Sequence, residues 1–225
     1  MILPTDTQLA AWTGDLYAGT TGFDHVVQVN PAAPFIAIKY LDGLDGLFGR
    51  GSKTWLDWIR DGLSEEARAI TEYPQLGLIP FGFGMFMPET WAAVKPLLRG
   101  LPIVGAAHSL ACPELNYQAS AHLIEGGTVA KLALFEPPNA GMAALTALMV
   151  PIDIHAYWNG IDPVPKLPFP LTPHLPWEPQ REFRRVNIAP LRRETIEDLP
   201  GLHGVGYHSL ALVAQGVAAY EAANP

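Results

Sequence analysis

The sequence is poor in cysteine, in basic residues and in long apolar runs, and each shortage excludes a class of protein. Cys112 is the only cysteine among 225 residues, which excludes a disulfide framework and a zinc site built from a cysteine cluster. Lys plus Arg number 14 against 22 Asp plus Glu, so the net charge of −8 repels nucleic acid and anionic lipid at long range. No apolar run reaches membrane-spanning length. We therefore expect neither a nucleic-acid partner nor a transmembrane segment.

Two further absences limit the chemistry that the chain can use. It contains no glycine-rich phosphate loop and no metal-ligand spacing, so we expect neither a cofactor nor a metal. The first residues lack the basic and apolar regions of a secretory signal, which leaves the localisation open between the cytoplasm and export, either after trimming of a signal or by another route. What is present, 49% apolar and 16% charged residues, is typical of a packed globular enzyme. We expect residues 1–225 to form one domain.

Apolar periodicity predicts a chain in which strands and helices alternate. A helix is predicted over residues 7–17, and FDHVVQVN and PFIAIKYLDG have the pattern of a hairpin or of neighbouring strands. The alternation predicts an α/β fold with a mostly parallel central sheet and helices on both faces. The later predicted elements are strands at LPIVGAAH, VAKLALFEP and PIDIHAYWNG, helices over residues 114–124 and 140–149, and a last strand and helix.

Three other segments are predicted from local composition. Residues 54–70 have apolar residues at near-helical spacing and predict one helix rich in tryptophan. Residues 88–98 predict a helix interrupted at Pro96, because proline cannot continue the hydrogen-bond pattern. The proline-rich residues 163–179 predict an extended loop over the surface.

The stretch IVGAAHSLACP places Ser109 where a buried strand is predicted to turn into a helix. Such a turn, a nucleophile elbow, presents a serine hydroxyl above the sheet and opposite the amino end of a helix. The positions two before and two after the serine are usually glycine, because strand and helix approach closely there. Here they are Ala107 and Ala111. On this string alone, a catalytic serine and a buried turn remain equally supported.

Four segments carry chemical motifs in a consistent order. They are GRGSKTWLDWIRDG, AAHSLACPELNYQA, LALFEPPNAG and NGIDPVPKLP. In this order they resemble the Arg-Gly-Ser/Thr turn, the Gly-His-Ser-Leu-Gly motif, the Pro-x-x-Gly turn and the Asp-Pro-Val-Pro-x-Leu-Pro motif of the class 3 lipase family, the fungal-lipase-like α/β hydrolases. Order and spacing agree from about Phe35 to His208. The resemblance implies an α/β-hydrolase fold and hydrolysis of carboxylic esters.

The resemblance assigns a catalytic triad to three residues. It implies Ser109 as the nucleophile, His208 as the base that takes and returns its proton, and Asp162 as the carboxylate that orients the imidazole. His208 precedes an apolar helix, as the family's histidine does, and His203 in the same glycine-rich loop stays the alternative. From the residues alone, Asp162 precedes a proline and is typical of a turn. Asp153 is a poorer candidate for the acid because it lies inside a predicted strand.

The resemblance also implies an oxyanion hole and a lid. The backbone amides of Leu110 and Ser52 would bind the oxyanion, although Ser52 can equally be the N-cap of the helix that follows it. Residues 53–66 match the lid in position and form an amphipathic segment able to cover an apolar cleft or touch a lipid surface. An ordinary packed helix is the alternative interpretation. The apolar residues expected to contact substrate are Trp55, Leu56, Trp58 and Ile59.

Two other reactive side chains flank Ser109, and both are interpreted as packing residues. Cys112 has no acid partner at a known spacing, and His108 is the direct neighbour of Ser109, so its ring cannot easily turn back to the hydroxyl. We therefore expect a serine ester hydrolase of the lipase or esterase type, with an ester or lipid substrate and transient contact with a lipid interface. The alternative is a degenerate hydrolase that binds a lipid or a protein without chemistry, which alanine at both elbow positions favours.

Overall fold

The structure is a computed structural model that describes residues 2–19, 22–31, 33–51, 67–159, 164, 184–188 and 210–224. The helices are α1 (Asp6–Ala18), α2 (Phe81–Gly84), α3 (Met87–Val94), α4 (Ala111–Ile124), α5 (Ala143–Met149) and α6 (Leu210–Ala223). The strands are β1 (His25–Val27), β2 (Phe35–Leu41), β3 (Leu44–Arg50), β4 (Ala67–Ala69), β5 (Leu78–Pro80), β6 (Ile103–His108), β7 (Val129–Phe135), β8 (Asp153–Asn159) and β9 (Arg184–Ile188).

Seven of these strands form one sheet, in the order β1-β2-β3-β6-β7-β8-β9. It is antiparallel from β1 to β3 and parallel from β3 to β9. Helices α1 and α6 cover one face, where Leu9 and Val213 join the same apolar core as Phe48 of β3. Helices α3, α4 and α5 cover the other face, where Trp91 and Leu115 belong to a second core. The predicted α/β fold, with a mostly parallel sheet and helices on both faces, is confirmed.

The first helix begins and ends where its sequence requires. The Thr5 hydroxyl accepts a hydrogen bond from the Gln8 amide at 3.2 Å, and the Gln8 side chain accepts one from the Thr5 amide at 3.0 Å. This capping box satisfies two amides that have no partner inside the helix. Gly19, with φ 74°, ends the helix in the left-handed conformation that glycine adopts without strain. The predicted helix over residues 7–17 is therefore confirmed.

Strand β3 was not among the predicted strands, although its Gly49 packs against the turn at Ser109 that is described below. Asp45, Gly46 and Gly49 interrupt its apolar pattern, and glycine is depleted in strands. The structure shows why glycine is needed at one of these positions. A Cβ on Gly46 would lie 2.8 Å from the Lys39 carbonyl oxygen, so the residue permits a close approach and does not make a turn.

The helix predicted over residues 54–70 is wrong at its carboxyl end. Ala67–Ala69 is strand β4, which pairs antiparallel with β5. Alanine and arginine favour helix locally, but this preference is weak, and hydrogen bonding to a strand that follows in the chain overrides it. Residues 52–66, which include the predicted lid, lie outside the described residues.

The remaining helix boundaries agree with the predictions to within a turn. Helix α4 begins at Ala111, three residues earlier than predicted, because Pro113 occupies its first turn, where an amide hydrogen is not needed. Helix α3 gives way to a 3₁₀ turn at Lys95–Leu97, as the prediction of an interruption at Pro96 requires. The predicted proline-rich loop lies outside the described residues except for Val164. Within the described ranges, no helix has the length and apolar character needed to cross a membrane.

Candidate active site

Ser109 lies between the end of β6 and the start of α4, with its backbone in the left-handed region. Its φ of 60° is one of two positive values among the described non-glycine residues, and such a conformation costs on the order of 1–3 kcal/mol. The surrounding structure holds it there: the Ser109 amide donates to the Phe135 carbonyl, and the Cys112 amide donates to the Ser109 carbonyl, each at 2.9 Å. Ser109 is 4% exposed. The chain therefore maintains a strained serine at a strand-to-helix turn.

The two alanines that replace glycine at this elbow fit because the residue of the neighbouring strand that faces them is a glycine. Gly49 of β3 pairs with Ala107 of β6. A Cβ on Gly49 would lie 3.2 Å from the Ala107 Cβ and 2.9 Å from the Ala111 Cβ. The space that glycine usually provides at the elbow positions themselves is here provided by Gly49 on the neighbouring strand. Alanine at these positions is compatible with the elbow geometry.

Gly49→Ala is expected to lower the free energy of unfolding by about 1–3 kcal/mol, the usual cost of overpacking a core. The added methyl group would meet Ala111 at a distance that real Cβ atoms essentially never show. Adding Ala111→Gly removes the shorter of the two clashes. The double variant should therefore be more stable than the sum of the two single effects on the free energy of unfolding predicts. Urea denaturation of the single and double variants measures this coupling. Strictly additive effects would contradict the contact.

The chain just before Ser52 packs against the elbow. A Cβ on Gly51 would lie 3.3 Å from the Ser109 Cβ and 3.4 Å from the Leu110 amide nitrogen. Leu110 is the residue before the first turn of α4 and is 7% exposed. The amino end of a helix favours negative charge nearby. Ser52 itself lies outside the described residues, so its assignment to an oxyanion hole stays a prediction.

His108, next to Ser109, is held by the first helix. Its Nδ1 forms a hydrogen bond of 2.7 Å with the Tyr17 hydroxyl, and the two rings meet edge to face. The Arg50 guanidinium lies 5.6 Å from the centre of the Tyr17 ring and donates to the Leu16 carbonyl at 3.2 Å. Burial raises the pKa of Tyr17 above its usual range, so the phenol stays neutral. His108 is 4% exposed, in agreement with its interpretation as a packing residue.

Cys112 lies in the first turn of α4 and is fully buried. Its thiol donates to the Ala107 carbonyl at 3.2 Å and lies 3.5 Å from the Phe135 carbonyl oxygen. Burial raises its pKa well above the ordinary thiol value, and a thiol that stays protonated is a poor nucleophile. Its interpretation as a packing residue is confirmed, which leaves Ser109 as the candidate nucleophile at this junction.

Glu136 was missed by the sequence analysis. It follows β7, the strand next to β6, and it is fully buried with φ 53°, the second positive value among the described non-glycine residues. Its amide donates to the Tyr157 carbonyl at 2.8 Å. Because His108 and Phe135 are register partners, Ser109 and Glu136 follow neighbouring strand ends. The acidic residue before two prolines in FEPP was the only sequence signal.

Most of the other predicted site residues belong to segments outside the described residues. Asp162, His208 and the alternative His203 lie outside the described residues, as do the predicted lid residues. Asp153 is the first residue of β8, at the amino end of the strand, whereas Ser109 follows the carboxyl end of β6. Parallel strands place these ends at opposite edges of the sheet, so Asp153 is not a partner of Ser109. Among the described residues, no group of three or more His, Cys, Asp or Glu side chains could hold a metal.

Comparisons with known proteins relate this architecture to lipases. No protein-family model and no curated protein matches the sequence. The structure is similar to the Rhizomucor miehei triacylglyceride lipase (TM-score 0.55, 18% identity, covering 73% of this chain and 72% of that one). It is also similar to the lipase from Rhizopus microsporus var. chinensis (TM-score 0.56, 13% identity, covering 72% of this chain and 66% of that one). A third similar structure is a triacylglycerol lipase whose catalytic centre is formed by a serine protease triad (TM-score 0.54, 19% identity, covering 65% of this chain and 60% of that one).

These likenesses concern the fold, because the sequence identities are low. The chain spans less than two thirds of the length of the second and third structures. In this chain, the sheet with its helices on both faces is the part of the molecule that positions Ser109. The chain has the α/β-hydrolase fold found in fungal lipases.

Proposed function

We propose that the protein is a serine carboxylic-ester hydrolase of the lipase or esterase type. The observation that supports this most directly is Ser109, a buried serine in a left-handed conformation between a parallel strand and a helix. Backbone strain of this kind persists where the rest of the structure holds it, and it occurs often at catalytic sites.

In the proposed reaction, the Ser109 hydroxyl attacks the ester carbonyl carbon and its proton passes to the His208 imidazole. The tetrahedral intermediate collapses, the carbon–oxygen bond to the alcohol breaks, and His208 returns the proton to the leaving alcohol. Water then attacks the acyl-enzyme by the same route and releases the carboxylic acid. Asp162 would orient the imidazole. The roles of His208 and Asp162 rest on the motif resemblance, and His203 remains the alternative base.

The oxyanion formed in each step needs hydrogen-bond donors aimed at it. We assign this role to the backbone amides of Leu110 and Ser52, whose neighbour Gly51 packs against the elbow. Removing one such donor typically costs about a hundred- to a thousandfold in rate. The acyl ester, and more specifically a lipid ester, is the proposed substrate class, since the similar structures include triacylglycerol lipases. Residues 53–66 would form the lid over it.

A second candidate function is binding of a lipid or a protein without chemistry. Alanine at positions 107 and 111 favours this alternative, because glycine is usual at both. The packing of both alanines opposite Gly49 removes the steric part of that argument. A direct test of the nucleophile separates the two functions.

A fluorophosphonate probe is expected to modify Ser109 stoichiometrically, since an activated serine attacks phosphorus as it attacks an ester carbonyl. Peptide mapping by mass spectrometry locates the adduct. The Ser109→Ala variant should remain unlabelled, and Ser120→Ala, which removes a buried serine in the middle of α4, should label as the unsubstituted protein does. A protein that stays unmodified while folded would support the binding function.

A further inference from the structure

A cavity of about 420 Å³ lies between α1 and α6, on the face of the sheet opposite the nucleophile helix α4. This volume is within the ~300–1,000 Å³ of typical ligand pockets. The cavity is open at one side, where Ala11 and Ala211 are exposed. Its main lining residues are Ala10, Ala11 and Gly14 of α1, Ala211 and Ala214 of α6, and His108 of β6.

The lining has the chemistry of an apolar ligand site. Among the described residues, no Lys, Arg, Asp or Glu side chain lines it, and the residues from the two helices are alanine, glycine and leucine apart from Tyr17. The polar groups are confined to one end, where the Tyr17 hydroxyl and His108 Nδ1 are hydrogen-bonded to each other at 2.7 Å. Ligand pockets combine apolar walls with a few fixed polar groups in this way. The described lining therefore favours an uncharged, apolar ligand.

The cavity lies beside the candidate nucleophile. His108, which forms its polar end, is the residue directly before Ser109. Leu210, which is 8% exposed and also lines the cavity, follows the proposed base His208 by two residues in the sequence. The lining therefore includes residues within two positions, along the chain, of two of the three proposed triad members.

We propose that this cavity binds the acyl chain of the ester, which makes unbranched esters of medium chain length the preferred substrates. The inference rests on the proposed function and extends it to a substrate class. The space is bounded by two helices and offers apolar contact along both, so each methylene group of a chain gains burial until the cavity is filled. An acetyl group is too short to use these contacts.

Gly14→Leu tests the proposal without endangering the fold. A Cβ on Gly14 meets no atom within 4 Å, so leucine can enter the cavity, and its higher helix propensity should stabilise α1. We expect the ratio of kcat/KM for p-nitrophenyl octanoate to that for p-nitrophenyl acetate to fall at least about tenfold, since single methylene contacts already discriminate by that factor. The melting temperature should not fall.

The matched control is Ala18→Leu, which adds a leucine to the exposed last residue of the same helix, away from the cavity. It should leave the octanoate to acetate ratio unchanged. An unchanged ratio in Gly14→Leu, with both esters still hydrolysed, would overturn the acyl-chain site and leave the proposed function standing. If the unsubstituted protein hydrolyses neither ester and resists the fluorophosphonate probe, the proposed function fails and this inference fails with it.

Discussion

Replacing Ser109 with alanine is expected to lower kcat/KM for a short p-nitrophenyl ester by roughly 10⁵- to 10⁶-fold. Loss of a triad serine removes the covalent step altogether, and in a well-studied serine hydrolase it costs about a millionfold. The fold should survive, because alanine removes a single oxygen and keeps both backbone hydrogen bonds that hold the turn. Initial rates, together with the melting temperature of the variant, measure this.

Cys112→Ala is the matched control for this experiment. Cys112 is the other nucleophilic side chain at the elbow, three residues further along, and it is buried. Because its thiol stays protonated, we expect its replacement to change kcat/KM by less than about tenfold. An active Ser109→Ala variant beside an inactive Cys112→Ala variant would reverse the assignment of the nucleophile.

The second large effect is expected far from Ser109, at a buried carboxylate that joins both chain ends to the sheet. Asp6 is 2% exposed and lies 2.7 Å from the Lys131 ammonium of β7. Its other oxygen accepts hydrogen bonds from His155 and Tyr157 of β8. The Asp6 amide donates to the Glu221 carboxylate of α6 at 2.7 Å. One residue thus connects α1, two strands and the final helix.

Asp6→Ala is expected to lower the free energy of unfolding by about 3–5 kcal/mol at pH 7. Removing one partner of a buried ion pair leaves the other charge without compensation, and Lys131 is only 8% exposed. Urea denaturation measures the change. Replacing Lys131 with methionine in the same chain should recover part of the loss, whereas Asp42→Ala, in the exposed turn between β2 and β3, should cost little.

The Asp6 contribution should also depend on pH in a defined direction. Burial alone would raise the pKa of Asp6, but hydrogen bonds from His155, Lys131 and Tyr157 outweigh it and lower the pKa from 3.8 to about 2. Ionised Asp6 therefore stabilises the folded state above about pH 4, and this contribution is lost as the pH falls towards 2. The difference in stability between Asp6→Ala and the unsubstituted protein should shrink over this range. A difference that stays constant would contradict the network.

The elements that were predictable are those whose signals are local. Helix α1 carries its capping residues Thr5 and Gln8 and its terminating Gly19 within the segment itself. Strand β6 is apolar up to His108 at its end and is buried along its whole length, which is typical of a central parallel strand. The turn at Ser109 was predictable as a junction, because a strand pattern stops there and a helix pattern follows.

The elements that were not predictable depend on residues distant in the chain. The glycines of β3 look like turn formers, and only the position of Ala111, 62 residues after Gly49, shows what Gly49 accommodates. Ala67–Ala69 has helical composition but becomes a strand because Leu78–Pro80 pairs with it. Asp6 and Glu136 are charged residues whose burial follows from the assembly of the sheet, which no local pattern encodes.

The most direct test of Ser109 as the nucleophile is to trap the acyl-enzyme itself. The protein is mixed with p-nitrophenyl octanoate, quenched in acid during the first turnover and digested, and the peptides are analysed by mass spectrometry. We expect an octanoyl group on Ser109, formed together with a burst of p-nitrophenolate. Ester turnover with no acylated Ser109 in the quenched samples, or with the acyl group on another side chain, would contradict this expectation.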